Sequence, residues 1–191
     1  MRRLRCLLLL VLLPLALSAT ERAIEAEIQV PAPPAEVWQA WTTSEGIRTF
    51  FAPDARVELR VDGPFEIFMN PLAEPGQRGA DGMRILAFQP ERMLAFTWNA
   101  PPHLPAARAQ RTHVVIRLFP AESGTRVTLH HDGWGDGGEW DQAFQYFAKA
   151  WPAVLGNLKK RFETGPRDWT EWMAQMRAYM EKQKAKPEAA K

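Results

Sequence analysis

The stretch Gly133-Trp134-Gly135-Asp136-Gly137-Gly138-Glu139-Trp140, continued by Phe144, Phe147, Trp151, Leu155, Leu158 and Phe162, decides the fold. From Trp140 onward the large apolar residues recur at spacings of 4, 3, 4, 4, 3 and 4. That is an unbroken stripe at the helical period. Gly165-Pro166 ends the helix. Its first three turns carry four large aromatic rings, so its partner must be a broad apolar surface rather than a single neighbouring helix.

The residues upstream supply that surface. Ile24, Ala26, Ile28 and Val30 alternate with Glu25, Glu27 and Gln29, the period of a half-buried strand. Pro33-Pro34 opens a short helix bearing Val37, Trp38 and Trp41, and a second helical turn runs into Phe50-Phe51. Six further strands are expected over residues 56–61, 65–69, 83–88, 93–98, 111–119 and 125–131. Long Pro/Gly loops lie at 70–81 and 99–109. Strands that cluster, instead of alternating with helices, predict an antiparallel α+β fold with helices on one face. A curved sheet wrapped around the long helix buries the stripe most simply. A last helix, at 166–183, places Trp169, Trp172, Met173, Met176 and Met180 on one side, and residues 184–191 read as a disordered polar tail.

Residues 1–19 read as a secretory signal. Arg2, Arg3 and Arg5 precede an apolar run from Cys6 to Leu17, and the small residues Ser18 and Ala19 offer a cleavage site. The run is shorter than the roughly 20 residues a spanning helix needs. Export to the periplasm or beyond is the expectation. Cleavage removes three of the 24 basic residues, leaving 21 against 22 acidic, so nothing points to nucleic acid. The only cysteine, Cys6, leaves with the signal, which excludes disulfides and thiol catalysis from the mature chain.

Several segments together resemble the START-like (SRPBCC, helix-grip) superfamily. They are Pro33-Pro34-Ala35-Glu36-Val37-Trp38, Gly63-Pro64-Phe65-Glu66-Ile67, Arg92 to Trp98, Thr125 to Leu129, and Gly133-Trp134-Gly135 with the long helix. The similarity is greatest to the branch named after the activator of the heat shock protein 90 ATPase. It spans about residues 22–162 and implies a START/Bet v-like domain over 20–165, with a cavity between the sheet and the long helix. The chain departs from that branch in its export signal and in the helix added beyond the usual domain end.

The cavity implied by this resemblance would be walled by Trp38, Phe51, Phe96, Trp98, His131, Phe144, Phe147 and Trp151. Apolar walls with few polar groups suit an apolar small molecule or lipid, and an aromatic stripe is equally what an ordinary core contains. His131 shares the apolar face of Val127 and Leu129, whereas His130 points away. His131 is therefore the one candidate for an acid–base or head-group role. Glu66, Glu139, Asp141 and Asp136 are candidate carboxylates, the latter three read as caps of the long helix. No metal-ligand spacing, nucleotide fingerprint or nucleophilic triad is present, and no cofactor is expected. Three readings follow: a carrier of an apolar ligand, a cyclase- or hydrolase-type enzyme using the same cavity, or an interaction module docking a protein through Trp169, Trp172 and Met176. The mixed charges on the last helix argue against membrane contact.

Overall fold

A computed structural model describes residues 21–184; the expected signal and residues 185–191 of the expected tail lie outside them. The chain runs β1 (Ile24–Val30), α1 (Pro34–Thr42), α2 (Ser44–Arg48), β2 (Asp54–Val57), β3 (Phe65–Phe68), β4 (Ile85–Gln89), β5 (Met93–Trp98), α3 (Pro105–Arg108), β6 (Thr112–Ala121), β7 (Gly124–Asp132), α4 (Gly138–Thr164) and α5 (Thr170–Lys184). Five strands form a curved antiparallel sheet in the order β1-β7-β6-β5-β4, and β2 and β3 pair separately. The bridge Pro64↔Arg84 ties the residue before β3 to the one before β4, and Phe68↔Gly79 ties β3 to the loop that follows it. The first and last strands are neighbours, in register from Ile24↔His131 to Val30↔Thr125. This brings the end of β7 beside the start of the chain and launches α4 back across the sheet.

Three expected boundaries move, each for a local reason. The strand expected at 56–61 ends at Val57, because the Arg60 N–H turns back to the Glu58 carbonyl at 2.8 Å and Asp62 adopts φ 59°. At Gly63 a β-carbon would sit 2.2 Å from the Glu58 carbonyl oxygen, so that turn admits only glycine. The loop expected at 99–109 contains α3, started by Pro105, whose missing N–H costs nothing there. The last helix begins at Thr170 rather than 166, since the Asp168 carboxylate accepts both the Thr170 N–H (2.8 Å) and its hydroxyl (2.7 Å).

The stripe on α4 does what its period demands. Ala143, Phe147, Trp151, Leu155 and Leu158 are buried on the concave face of the sheet and belong to one continuous core with Val114, Ile116, Val127 and Leu129. Pro152 interrupts the helical ladder where the Ala148 carbonyl would have been its partner, and Ala148 faces solvent. Burial of each large side chain contributes about 1.5–3 kcal/mol. Replacing fully buried Leu158 by Ala should therefore cost roughly 2–5 kcal/mol, against less than about 0.5 kcal/mol for Ala at exposed Gln145 on the same helix. Urea unfolding of the two variants measures the difference.

Candidate functional site

Sheet and helix meet at a hydrogen-bonded chain. The Trp151 indole N–H on α4 donates to His131 Nδ1 at 2.8 Å, and His131 Nε2 lies 2.7 Å from the Thr112 hydroxyl on β6. Because Nδ1 accepts, the imidazole proton sits on Nε2 and is given to Thr112. The Trp134 indole N–H bonds the His131 carbonyl at 2.9 Å, and its ring packs 4.1 Å from the imidazole, centroid to centroid. Burial, reinforced by the neighbouring His113 and His130, lowers the pKa of His131 from 6.5 to about 3. This histidine is neutral with both nitrogens engaged inside the protein, and it has neither a free proton nor a free lone pair for acid–base chemistry. The geometry gives it the task of fixing α4 against β6 and β7.

Around this chain, six of the eight expected wall residues form one aromatic cluster. Trp98 lies against Phe51 (5.9 Å), Phe96 (5.7 Å), Trp151 (5.2 Å) and Phe147 (6.4 Å), and His131 against Phe147 (5.4 Å). These rings fill the space between sheet and helix with one another. Of the other two, Phe144 joins the cluster through Trp134, which packs on His131 and Phe147. Trp38 is buried on α1, and Phe144 packs on Trp134 (5.3 Å) beneath the Arg22 guanidinium.

The open volume lies at the edge of the cluster, where Trp98 and Phe147 end. There a cleft of about 390 Å³ is bounded by α4, by α5 and by the two long loops. Ala80, Trp98, Asn99, Ala100 and Phe147 are its buried floor, and Met69, Pro101 and Pro102 come from the loops. Tyr146 of α4 and Met176 and Tyr179 of α5 form the rim. The last helix is thus a wall of the cleft. Two indoles hold it there, with the Trp169 N–H on the Arg48 carbonyl (2.6 Å) and the Trp172 N–H on the Met69 carbonyl (3.2 Å).

A polar knot invisible in the spacing of residues shapes the loops. The Asp81 carboxylate accepts the N–H groups of Gly76, Arg78 and Gly79 at 2.8–3.0 Å and the Arg78 Nε at 2.8 Å. Burial alone would raise its pKa, but the Arg78 guanidinium and the Gly76 N–H outweigh that and hold it below the usual carboxylate range. Arg108 of α3 binds the same carboxylate (3.5 Å) and donates to the carbonyls of Gly76, Gly79 and Ala100, so it clamps one loop to the other. A lone aspartate among glycines was the only sequence cue to this knot. The start of α4 carries no side-chain cap, so Glu139, Asp141 and Asp136 do not cap it as expected, and three of the four carboxylates singled out from sequence serve instead as ties between segments. Glu139 accepts the Ala107 N–H (2.9 Å), Glu66 that of Gly82 (2.8 Å), and Asp141 pairs with Arg22 (2.6 Å). His113 and His130 lie on the outer face of the sheet near Asp132, and His103 sits on the rim of the cleft.

A family model described as "Activator of Hsp90 ATPase homolog 1-like protein" matches residues 31–163. The chain belongs to this family. Its fold is similar to that of protein MLL2253 from Mesorhizobium loti (24% identity, TM-score 0.60, 74% of this chain and 97% of that one). It is also similar to the Aha1 dimer from Colwellia psychrerythraea (20%, 0.59, 75% and 98%) and to CalU16 from Micromonospora echinospora (24%, 0.56, 83% and 83%). No curated protein sequence matches. The family match stops at residue 163, so α5 and its half of the cleft rim lie beyond it.

Two outcomes are expected. The unfolded chain protonates His131 near 6.5 and the folded chain only near about 3, so between these values the unfolded state binds the extra proton. The contribution of His131 to stability is complete above pH 6.5 and declines as pH falls toward 3, by up to about 1.4 kcal/mol per unit. Denaturant midpoints measured from pH 7 to 5 should fall in the native chain, and a His131→Gln variant should start less stable and show a shallower fall. Arg108→Met should cost about 1–3 kcal/mol, chiefly by removing the donor to the Gly76, Gly79 and Ala100 carbonyls. Faster amide exchange confined to residues 76–81 and 99–103 would identify the clamp.

Proposed function

We propose that this chain is an exported binding protein for a small apolar molecule, held in the cleft between α4, α5 and the two clamped loops. One observation carries the reading: a largely apolar cleft ends on the buried rings of Trp98 and Phe147. Its volume of about 390 Å³ falls at the small end of ligand sites, which span about 300–1,000 Å³. A single short chain or a compact ring system suits it, and a two-chain lipid is too large. The export reading rests on residues 1–19 alone. The engagement of His131 on both nitrogens weighs against the enzyme reading. The placement of α5 weighs against docking of a protein through Trp169, Trp172 and Met176, because both indole N–H groups are used on the body and Met176 faces the cleft.

The test is titration of the purified full chain with the neutral fluorescent probe N-phenyl-1-naphthylamine. Saturable binding of one probe per chain is expected. A Met176→Asp variant, which sets a carboxylate in the apolar wall, should weaken binding at least tenfold while leaving the melting temperature within a degree or two. A chain that enhances the probe's emission without saturation, or a Met176→Asp variant that binds as well as the native chain, overturns the assignment.

A further inference from the structure

The mouth of the cleft differs in character from its floor. Ala80, Trp98, Ala100 and Phe147 make the floor largely apolar. His103 and Tyr146, on the rim, also line a second, shallower depression along α4, together with Gln142, Gln145 and Lys149. The two hollows share these side chains, so the cleft opens toward Lys149. Lys149 follows Tyr146 by three residues on the helix, a spacing that puts their β-carbons about 5–6 Å apart, and both side chains are exposed. Among the described residues Lys149 makes no ion pair, whereas Lys159 on the same helix pairs with Glu163 at 3.6 Å. Among those residues, too, no aspartate or glutamate lines either hollow. Glu139, at the start of α4, is tied to the Ala107 N–H and lies about 15 Å along the helix from Lys149. Arg78, on the loop side, is committed to Asp81. The mouth thus sets one unpaired positive charge and two neutral hydrogen-bonding groups above an apolar floor.

Resting on the cleft as a binding site, we infer that its ligand is a short single-chain amphiphile with an anionic head, a carboxylate or sulfate. Its apolar body lies on Trp98 and Phe147, and its head lies at the mouth against Lys149, Tyr146 and His103. An anion there stays in contact with water, so it keeps most of its hydration and gains an opposite charge. A cationic head in the same place meets Lys149 as a like charge, with no carboxylate in the lining to offset it.

Three nine-carbon competitors separate the alternatives by displacement of bound N-phenyl-1-naphthylamine from the full chain at low salt: nonanoate, 1-nonanol and nonylammonium. Their apolar bodies match, so the order of affinity reports the head group. The expected order is nonanoate tightest and nonylammonium weakest. Lys149 is exposed, so a Lys149→Glu variant keeps the fold. Reversing this charge should weaken nonanoate about five- to tenfold, strengthen nonylammonium and leave 1-nonanol within twofold. Equal affinities in the native chain, or 1-nonanol or nonylammonium binding tighter than nonanoate, overturn the inference and leave the cleft as a site for an uncharged or cationic ligand. The same holds for a Lys149→Glu variant that loses nonanoate and 1-nonanol equally, or loses neither. Failure of every competitor to displace the probe overturns the inference and the binding site together.

Discussion

The contact on which the rest depends is the chain Trp151–His131–Thr112. A 27-residue amphipathic helix on a curved sheet gains apolar burial at many rotations about its own axis, because burial is not directional. Hydrogen bonds are. An indole N–H on α4 that must meet a ring nitrogen on β7, which in turn must meet a hydroxyl on β6, permits only one rotation and one depth. With Trp151 fixed, Phe147 one turn earlier is set against Trp98, and Tyr146 beside it points to the rim. A buried histidine is the means of this specification: neutral, it gives one donor and one acceptor, matching what Thr112 and Trp151 supply.

That arrangement also explains where the free volume is. Rings from α2 onward, Phe51, Phe96, Trp98, Phe147 and Trp151, interlock at centroid distances of 5.2 to 6.4 Å, within the range where aromatic pairs attract. These rings make the helix–sheet interior a close-packed aromatic core. The opening falls instead where the sheet ends and backbone must run as loops, and loops do not close-pack unaided. The Asp81–Arg108 knot supplies their order by satisfying a cluster of backbone groups with two side chains. The same features that stabilise the fold thus push the candidate site out of the helix–sheet interior and onto its margin.

The sequence carried the parts of this that depend on period. The 3.6 stripe from Trp140 to Phe162, the alternation in β1 and the opposite faces of His130 and His131 follow from side-chain direction alone, and the structure has them. It carried less of what depends on pairing across distance. His131 was readable as an inward residue, but its partners come from positions 19 and 20 residues away on other elements, and no spacing rule names them. Arg108 and Asp81 sit in segments that read only as Pro/Gly loop. The eight-residue wall was implied by the family resemblance, and the aromatic spacing alone did not separate cavity wall from ordinary core. Of these eight, Trp98 and Phe147 line the cleft beside α5.

The added helix α5 changes what this margin can do. Without Met176 and Tyr179 the floor formed by Trp98, Asn99 and Phe147 would be open on that side, a groove rather than a three-walled cleft. Yet α5 holds on by little. Trp172 and Tyr179 are 37% and 54% exposed, its methionines are only half-buried, and its two indole tethers are worth about 0.5–1.5 kcal/mol each. The α4 contact, by contrast, rests on five buried side chains and the Trp151–His131–Thr112 chain. Local opening follows the weakest cooperative unit, so the free energy needed to lift α5 is a small part of that needed to part α4 from the sheet. The cleft proposed as the binding site thus joins a rigid floor to a lightly held wall.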